Sequence, residues 1–344
     1  MGAIDWAEKG WVPDSLIRFG INRLNRRRLQ QEQVANPMGR YKRYRKLLEQ
    51  LRESPIAIHT DSANEQHYEV PAEFFHYVLG PRLKYSGCYF PEGVTRLEQA
   101  ESAMLALTAA RAELADGQRI LELGCGWGSL TLWMAEHFPG AEILGVSNSA
   151  SQREHIMQQA RDRGLENVQV LTRDVNQLEL EQRFDRVVSV EMFEHMRNYQ
   201  HLMRNISSWL QPDGKLFVHL FCHREIMYPF EVQGDTDWMG RHFFTGGLMP
   251  AADTLLHFQD HLAIEEHWRV SGKHYEKTCN HWLENLDRNR QPIAQLFSTV
   301  YGPNQADLWV QRWRIFFMAC AELFAFADGG EWFVSHYRFA NRAG

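Results

Sequence analysis

The sequence predicts an α/β fold, a Rossmann-like parallel sheet covered by helices on both faces. Three observations carry that reading. From Gln118 onward, short β-branched or Leu-rich runs alternate with helical segments. The first run breaks into a glycine-rich loop, ILELGCGWGSL at 120–130, which opens a helix. The connections hold turn formers such as QPDG.

In chain order, Ile17, Ile21, Leu24 and Arg28 fall at helical spacing, so one or two basic helices fill Asp14 to about Leu51, a second stretch running from Gly39. RILELG, AEILGV, VQVLTRD and RFDRVVSVE read as strands, with helices between them, one through LTLWMAEHF. A further helix ends near Leu210, and KLFVHLFC follows as the next strand. The alternation stops from about Arg224 to Ala263, where the Gly- and aromatic-rich YPFEVQGDTDWMGRHFFTGGLMP reads as an inserted lid. A strand near Ile264 to Arg269, helices over Thr278 to Leu323 and a last strand, GGEWFVSHYRFA, complete the chain and return it to the sheet. Three divisions result: a basic helical segment at 1–60, a ligand-binding core at 61–223, and lid, helices and closing strands at 224–344.

The 344 residues are 44% hydrophobic and 12% aromatic, which excludes a disordered or low-complexity chain. No apolar run approaches the roughly 18 to 20 residues of a membrane span. MGAIDWAEKG has neither the order of a signal peptide nor a Ser or Thr at position 6 for myristoylation, so a cytoplasmic protein is expected. Five widely spaced cysteines argue against a disulfide framework and a zinc site, and His219 and His223, about 13 Å apart at roughly 3.3 Å per strand residue, could not share an ion, so no metal is expected. Residues 1–50 hold 11 Lys plus Arg against 5 Asp plus Glu, a balance of +6 within a total of -6. The default for that segment is a solvated face or a contact with a second copy of the chain. Peripheral membrane contact through Trp6, Trp11, Ile17, Phe19 and the nearby arginines is less favoured, and nucleic acid least.

The glycine loop carries the strongest chemical signal. Gly124, Gly126 and Gly128 let the backbone turn and approach a ligand at a helix N-terminus. The loop lacks the GK[ST] of a phosphate-binding loop, and its E-x-G-x-G-x-G spacing differs from the dinucleotide pattern. Glu122 would repel a pyrophosphate and suits a cationic ligand such as S-adenosylmethionine. At the next strand end Ser147, Asn148 and Gln152 could bind a ribose. After the third, Asp174 and Val175 could meet an adenine, with Asp174 accepting from its amino group. Three such stations at successive strand ends lie where open α/β sheets bind ligands.

These stations, with QHYEVPAEFFHYVLGPRLKYSGCYF upstream and SVEMFEHM downstream, resemble one branch of the class I methyltransferases: cyclopropane-fatty-acid synthases, mycolic-acid cyclopropane synthases and plant benzylisoquinoline N-methyltransferases. The resemblance runs from about Ser62 to the C-terminus. It implies that Tyr85 and Ser86 contact the methionine part of the cofactor together with Gly124 and Gly126. In cyclopropane synthases it further implies a bound bicarbonate base, held by a Cys, the Glu of FEH, a His on the fifth strand and a later Tyr. Glu194, His219 and Tyr275 match, whereas YSGCYF places Gly87 at the Cys position.

The alkaloid N-methyltransferases resemble the chain more closely, through KYSGCYF, GVSNS, SVEMFEHM, FFTGG and GKHY, and cyclopropane synthases generally have Gly at the position of Glu191. The resemblance implies methyl transfer from S-adenosylmethionine to a small amine. Such an amine is protonated at neutral pH, with a pKa of about 10, and transfer needs its lone pair. Glu194 and His195 are the expected acid–base pair, with Glu191 assisting. Phe221, Tyr228, Phe230, Trp238, Phe243 and Phe244 offer cation–π faces, His219 and Tyr275 are further substrate contacts, and the resemblance of GGEWFVSHY to a pocket-lining stretch makes Trp332 another, with core packing as its default role. Two alternatives stand beside this reading: a lipid-modifying cyclopropane synthase, and a cofactor-binding or lipid-surface protein without turnover.

Overall fold

The computed structural model describes residues 2–32, 36–58, 70–230 and 237–342. The expected start of the resemblance at Ser62 and lid residues 231–236 lie outside them. Five parallel strands follow the order read from the sequence: β1 (Arg119–Leu123), β2 (Glu142–Ser147), β3 (Val168–Thr172), β4 (Phe184–Val190) and β5 (Leu210–His223). The closing strand β9 (Trp332–Asn341) pairs antiparallel with β5, and β8 (Leu262–Val270) pairs antiparallel with β9, giving the order β3-β2-β1-β4-β5-β9-β8. The expectation of a parallel sheet therefore holds for the direction of six of the seven strands, β9 alone running the other way. The chain passes from β8 to β9 through three helices and enters β9 from the opposite end of the sheet.

Strand order reverses between β1 and β4, and the loops after these two strands open beside each other at the carboxyl end of the sheet. That is where an open α/β sheet leaves a crevice. Helices α5 (Leu97–Ala112), α6 (Ser129–His137), α7 (Ala150–Asp162) and α8 (Tyr199–Trp209) flank the strands. In α8, Tyr199, Leu202, Met203, Ile206 and Trp209 recur at helical spacing and are buried, and Asn198 caps the helix by accepting from the His201 N–H at 2.9 Å.

Most of the aromatic surplus serves a second layer. Helices α10 (Gly272–Arg288), α11 (Arg290–Tyr301) and α12 (Ala306–Gly329) bury Trp282, Phe297, Trp313 and Phe317 against Phe74 and Phe75 of α4 (Ala72–Val78). The lid contributes a two-stranded ribbon, β6 (Tyr228–Pro229) with β7 (Leu248–Met249), and the short α9 (Trp238–His242).

The N-terminal segment forms α1 (Ala3–Glu8), unanticipated from sequence, then α2 (Asp14–Glu32) and α3 (Pro37–Glu53). Two ion pairs of opposite sense dock it: Arg18 pairs with Glu322 at 2.8 Å and Asp14 with Arg314 at 2.7 Å, tying α2 to α12, while Ile17 enters the core. Each such pair adds about 0–1 kcal/mol, so they set the docking register more than the stability. Trp11 and Phe19 stay 67% and 69% exposed. Among the described residues no helix is long and apolar enough to cross a membrane.

Candidate active site

Gly124, Gly126 and Gly128 all adopt left-handed backbone, with φ of 78°, 52° and 82°. The alternating glycines of the sequence are thus a conformational requirement, and a Cβ on Gly124 would lie 2.7 Å from the Met192 side chain. The loop borders a cavity holding about 820 Å³ of empty space, part of it open to solvent. Gly124, Gly126, Ser147, Asn148, Gln152, Val175, Glu191 and His195 line it, joined by Met192, Arg173, Ala57 and Thr245, which sequence reasoning did not single out.

Ser147 donates to Gln152 Oε1 at 2.7 Å, fixing the amide so that its buried Nε2 has no partner among the described residues. An unsatisfied buried donor at a cavity wall fits a ligand acceptor, and a ribose hydroxyl supplies one. Asp174 uses one oxygen to accept from the Asn176 N–H at 2.7 Å and lies beside the cavity without lining it. Glu122 is displaced from the position expected of it. It faces the side of β1 opposite Leu123, accepts from Thr131 at 2.5 Å, and burial raises its carboxyl to about 8, so it braces the loop from beneath and is not set out to meet a cation. Tyr85 packs against Phe75 and Trp282, and buried Ser86 accepts from Lys84 Nζ; neither lines the cavity.

Beyond β4 the two carboxyl groups differ sharply. Glu191 has left-handed backbone at φ 50°, and its carboxyl collects three donors: the Gly87 N–H at 2.8 Å and His219 Nε2 at 3.1 Å on Oε1, and the Tyr275 hydroxyl at 2.6 Å on Oε2. Burial pushes its pKa up, while the Lys84 ammonium and these donors oppose the rise. Glu194 is fully buried, behind the cavity lining, and accepts from the Phe221 N–H at 2.6 Å through Oε1, whereas Oε2 has no partner among the described residues. Burial, then the charge of Glu191, holds its pKa well above the usual carboxylate range. Burial, with Arg197 adding to it, lowers His195 to about 4, so its imidazole is neutral.

None of the six aromatic residues expected to face the amine is in the cavity lining. Phe244 lies against His195 at 4.8 Å, Phe230 at 4.9 Å and Phe221 at 5.7 Å between ring centroids. Phe243 joins the helical core against Trp313 and Phe316. Trp238 donates to Glu8 of α1, and Trp332 is fully buried and donates to Tyr228 at 3.2 Å. Neither tryptophan lines the cavity, because each indole N–H is drawn to an acceptor elsewhere.

A family model described as mycolic acid cyclopropane synthetase matches residues 57–329. The chain belongs to that family. Within it, (S)-coclaurine N-methyltransferase of Thalictrum flavum subsp. glaucum is 38% identical, over 97% of this chain and 94% of that protein. A crystal structure of coclaurine N-methyltransferase, bound to N-methylheliamine and S-adenosylhomocysteine, superposes with a TM-score of 0.94 at 38% identity over 97% of each chain. A cyclopropane synthase from Mycobacterium tuberculosis, 20% identical, shares the fold with a TM-score of 0.71 over 84% of this chain and all of that one. The similarity thus begins upstream of Ser62, and the family's two chemistries meet in one architecture.

Proposed function

We propose that the protein is an S-adenosylmethionine-dependent methyltransferase acting on the nitrogen of a small aromatic amine of the alkaloid kind named for its relatives. Gly124, Gly126, Ser147, Asn148 and Gln152 would hold the cofactor, which when bound supplies an electrophilic methyl group. The observation that carries the choice of acceptor is the placement of Glu191. Gly87, His219 and Tyr275, which match positions of a bicarbonate site in cyclopropane synthases, all donate to the Glu191 carboxyl. A fixed carboxylate suits a cation.

An ammonium entering the cavity meets this anion beside the His195 imidazole, against which the Phe244 ring packs. Glu194 Oε2, without a partner among the described residues and on a carboxyl of raised pKa, then takes the N–H proton and leaves the nitrogen lone pair available. His195, lowered to about 4, is a weaker base than Glu194, so the acid–base pair read from the sequence divides into a proton acceptor and a neutral hydrogen-bonding imidazole at the cavity wall. The test is an acceptor screen with methyl-labelled S-adenosylmethionine, offering benzylisoquinoline amines and unsaturated phospholipid vesicles in parallel. Label in the amines, as a mass gain of one methyl group, is the expected result; label held as a methylene bridge in lipid overturns the proposal.

A further inference from the structure

We propose that His336 and Arg111 are positioning residues for methyl transfer, forming a one-directional chain of hydrogen-bond donors that ends on Glu191 and fixes its carboxylate. The proposal rests on the assignment of Glu191 as the anion that receives the amine.

Arg111 Nη1 lies 2.8 Å from His336 Nδ1, His336 Nε2 lies 3.0 Å from His219 Nδ1, and His219 Nε2 lies 3.1 Å from Glu191 Oε1. Arginine has donors and no acceptor. His336 Nδ1 must therefore accept, which places the His336 proton on Nε2. That proton is donated to His219 Nδ1, so the His219 proton also resides on Nε2 and points at Glu191. One guanidinium at the far end thus decides two tautomers in sequence. Both imidazoles are fully buried, and burial with the neighbouring Lys84 and Arg111 charges holds each well below the usual histidine range, so both stay neutral. The geometry comes from the sheet: His219 on β5 and His336 on β9 are direct partners in the antiparallel register. Arg111, at the end of α5, is held 5.0 Å over the Trp268 ring of β8.

The direction of the chain limits what it can do. A proton could leave along it only if Arg111 accepted one, and guanidinium does not. The chain therefore holds negative charge at Glu191 and cannot drain the amine proton, which is left to Glu194.

His336→Phe fills the ring space but has neither acceptor nor donor; His336→Gln supplies both. Arg111→Met removes the donor at the head of the chain. Nitrogen spectra of histidine-labelled protein with S-adenosylhomocysteine are expected to show His219 and His336 as neutral Nε2–H tautomers, and Arg111→Met is expected to release that preference at both rings. In turnover, His336→Phe should lower kcat about tenfold to a hundredfold with S-adenosylhomocysteine affinity unchanged. The acid limb of kcat/KM should move up by about one pH unit, because a carboxylate that loses a donor protonates more readily. Lys84, Gly87, Tyr275, Glu194 and His195 also face Glu191 and are untouched in each variant, and His336→Gln should recover most of the rate. An Nδ1–H tautomer at His219 in the native protein overturns the proposal, as does equal loss in the Phe and Gln variants without movement of the acid limb. Failure of the native protein to methylate any amine would instead overturn the function assigned to Glu191, and the nitrogen spectra would still decide the chain.

Discussion

The Tyr275 hydroxyl donates to Glu191 Oε2 at 2.6 Å, linking α10 to the end of β4 across 84 positions of sequence. That bond and the donations from Gly87 and His219 hold a non-glycine residue in left-handed backbone, at a cost of about 1–2 kcal/mol. Strain retained at a cavity wall accompanies a side chain that the surroundings over-determine. Here the side chain is the carboxyl on which the amine reading depends.

Glycine relieves that strain, so Glu191→Gly is expected to fold and to melt at or slightly above the native temperature. Loss of the fixed anion should lower amine methylation about 10²- to 10⁴-fold. The three donors would remain, and added formate or bicarbonate should restore part of the rate by occupying the space between them. Rate measurements across formate concentrations check this, and a flat response would separate Glu191 from charge stabilisation.

Glu194→Gln keeps the acceptor for the Phe221 N–H and removes the base. Turnover should fall about 10²- to 10⁴-fold with S-adenosylhomocysteine affinity nearly unchanged. The raised pKa also has a stability consequence. Between the unfolded pKa of about 4.3 and the higher folded value, the native state binds more protons than the unfolded one, so this group's contribution declines as pH rises. The Gln variant should therefore gain in melting temperature over the native protein at pH 8 and lose that advantage near pH 4.

Glu122 obeys the same sign. With its carboxyl raised to about 8 in the folded protein, Glu122→Gln should stabilise increasingly from about pH 4.3 to pH 8 and little further above it. Because Glu122 lies beneath the loop and outside the cavity lining, cofactor affinity should change less than threefold, a bound set by loop bracing of under about 0.7 kcal/mol. A loss of tenfold or more in calorimetric titration would restore it as a direct ligand.

Gly126 has open space around an added Cβ but a φ of 52° and a place in the cavity lining. Gly126→Val combines a left-handed cost of about 1–2 kcal/mol with occupation of the cleft. S-adenosylhomocysteine should bind at least tenfold more weakly by calorimetry, and unchanged affinity would detach the loop from cofactor binding.

Phe244→Leu tests the ring that packs on His195 at the cavity wall. Cation–π contacts contribute about 0.5–2 kcal/mol, so the amine KM should rise between twofold and thirtyfold at constant cofactor affinity. Trp238→Phe and Trp332→Phe, whose indoles are turned to Glu8 and Tyr228, should leave the amine KM within about twofold.

Much of the cofactor side was legible because it is local. Glycines at every second position announced a left-handed loop, and hydroxyl and amide residues at the next strand end announced polar groups at the same rim. The amine side was legible only in part. SVEMFEHM announced carboxyls, but nothing in it distinguished Glu191, saturated with donors, from Glu194, with an open oxygen. Glu122 was misplaced because strand alternation turns it away from the cleft. Trp238 is turned away from the cavity because its indole N–H finds an acceptor in Glu8, which aromatic composition does not reveal, whereas Trp332 takes the core position that was its default.

The sequence by itself determined the strand order of chain appearance, the left-handed glycine loop and the residue types that can meet a cationic ligand, since these follow from periodicity, glycine's missing Cβ and side-chain chemistry. Only the tertiary structure decided that Gly87, His219 and Tyr275 converge on Glu191, and that His336 stands opposite His219 with Arg111 behind it. Those partners come from four separate elements and a loop, and antiparallel register and helix packing fix distances between residues that no local spacing encodes.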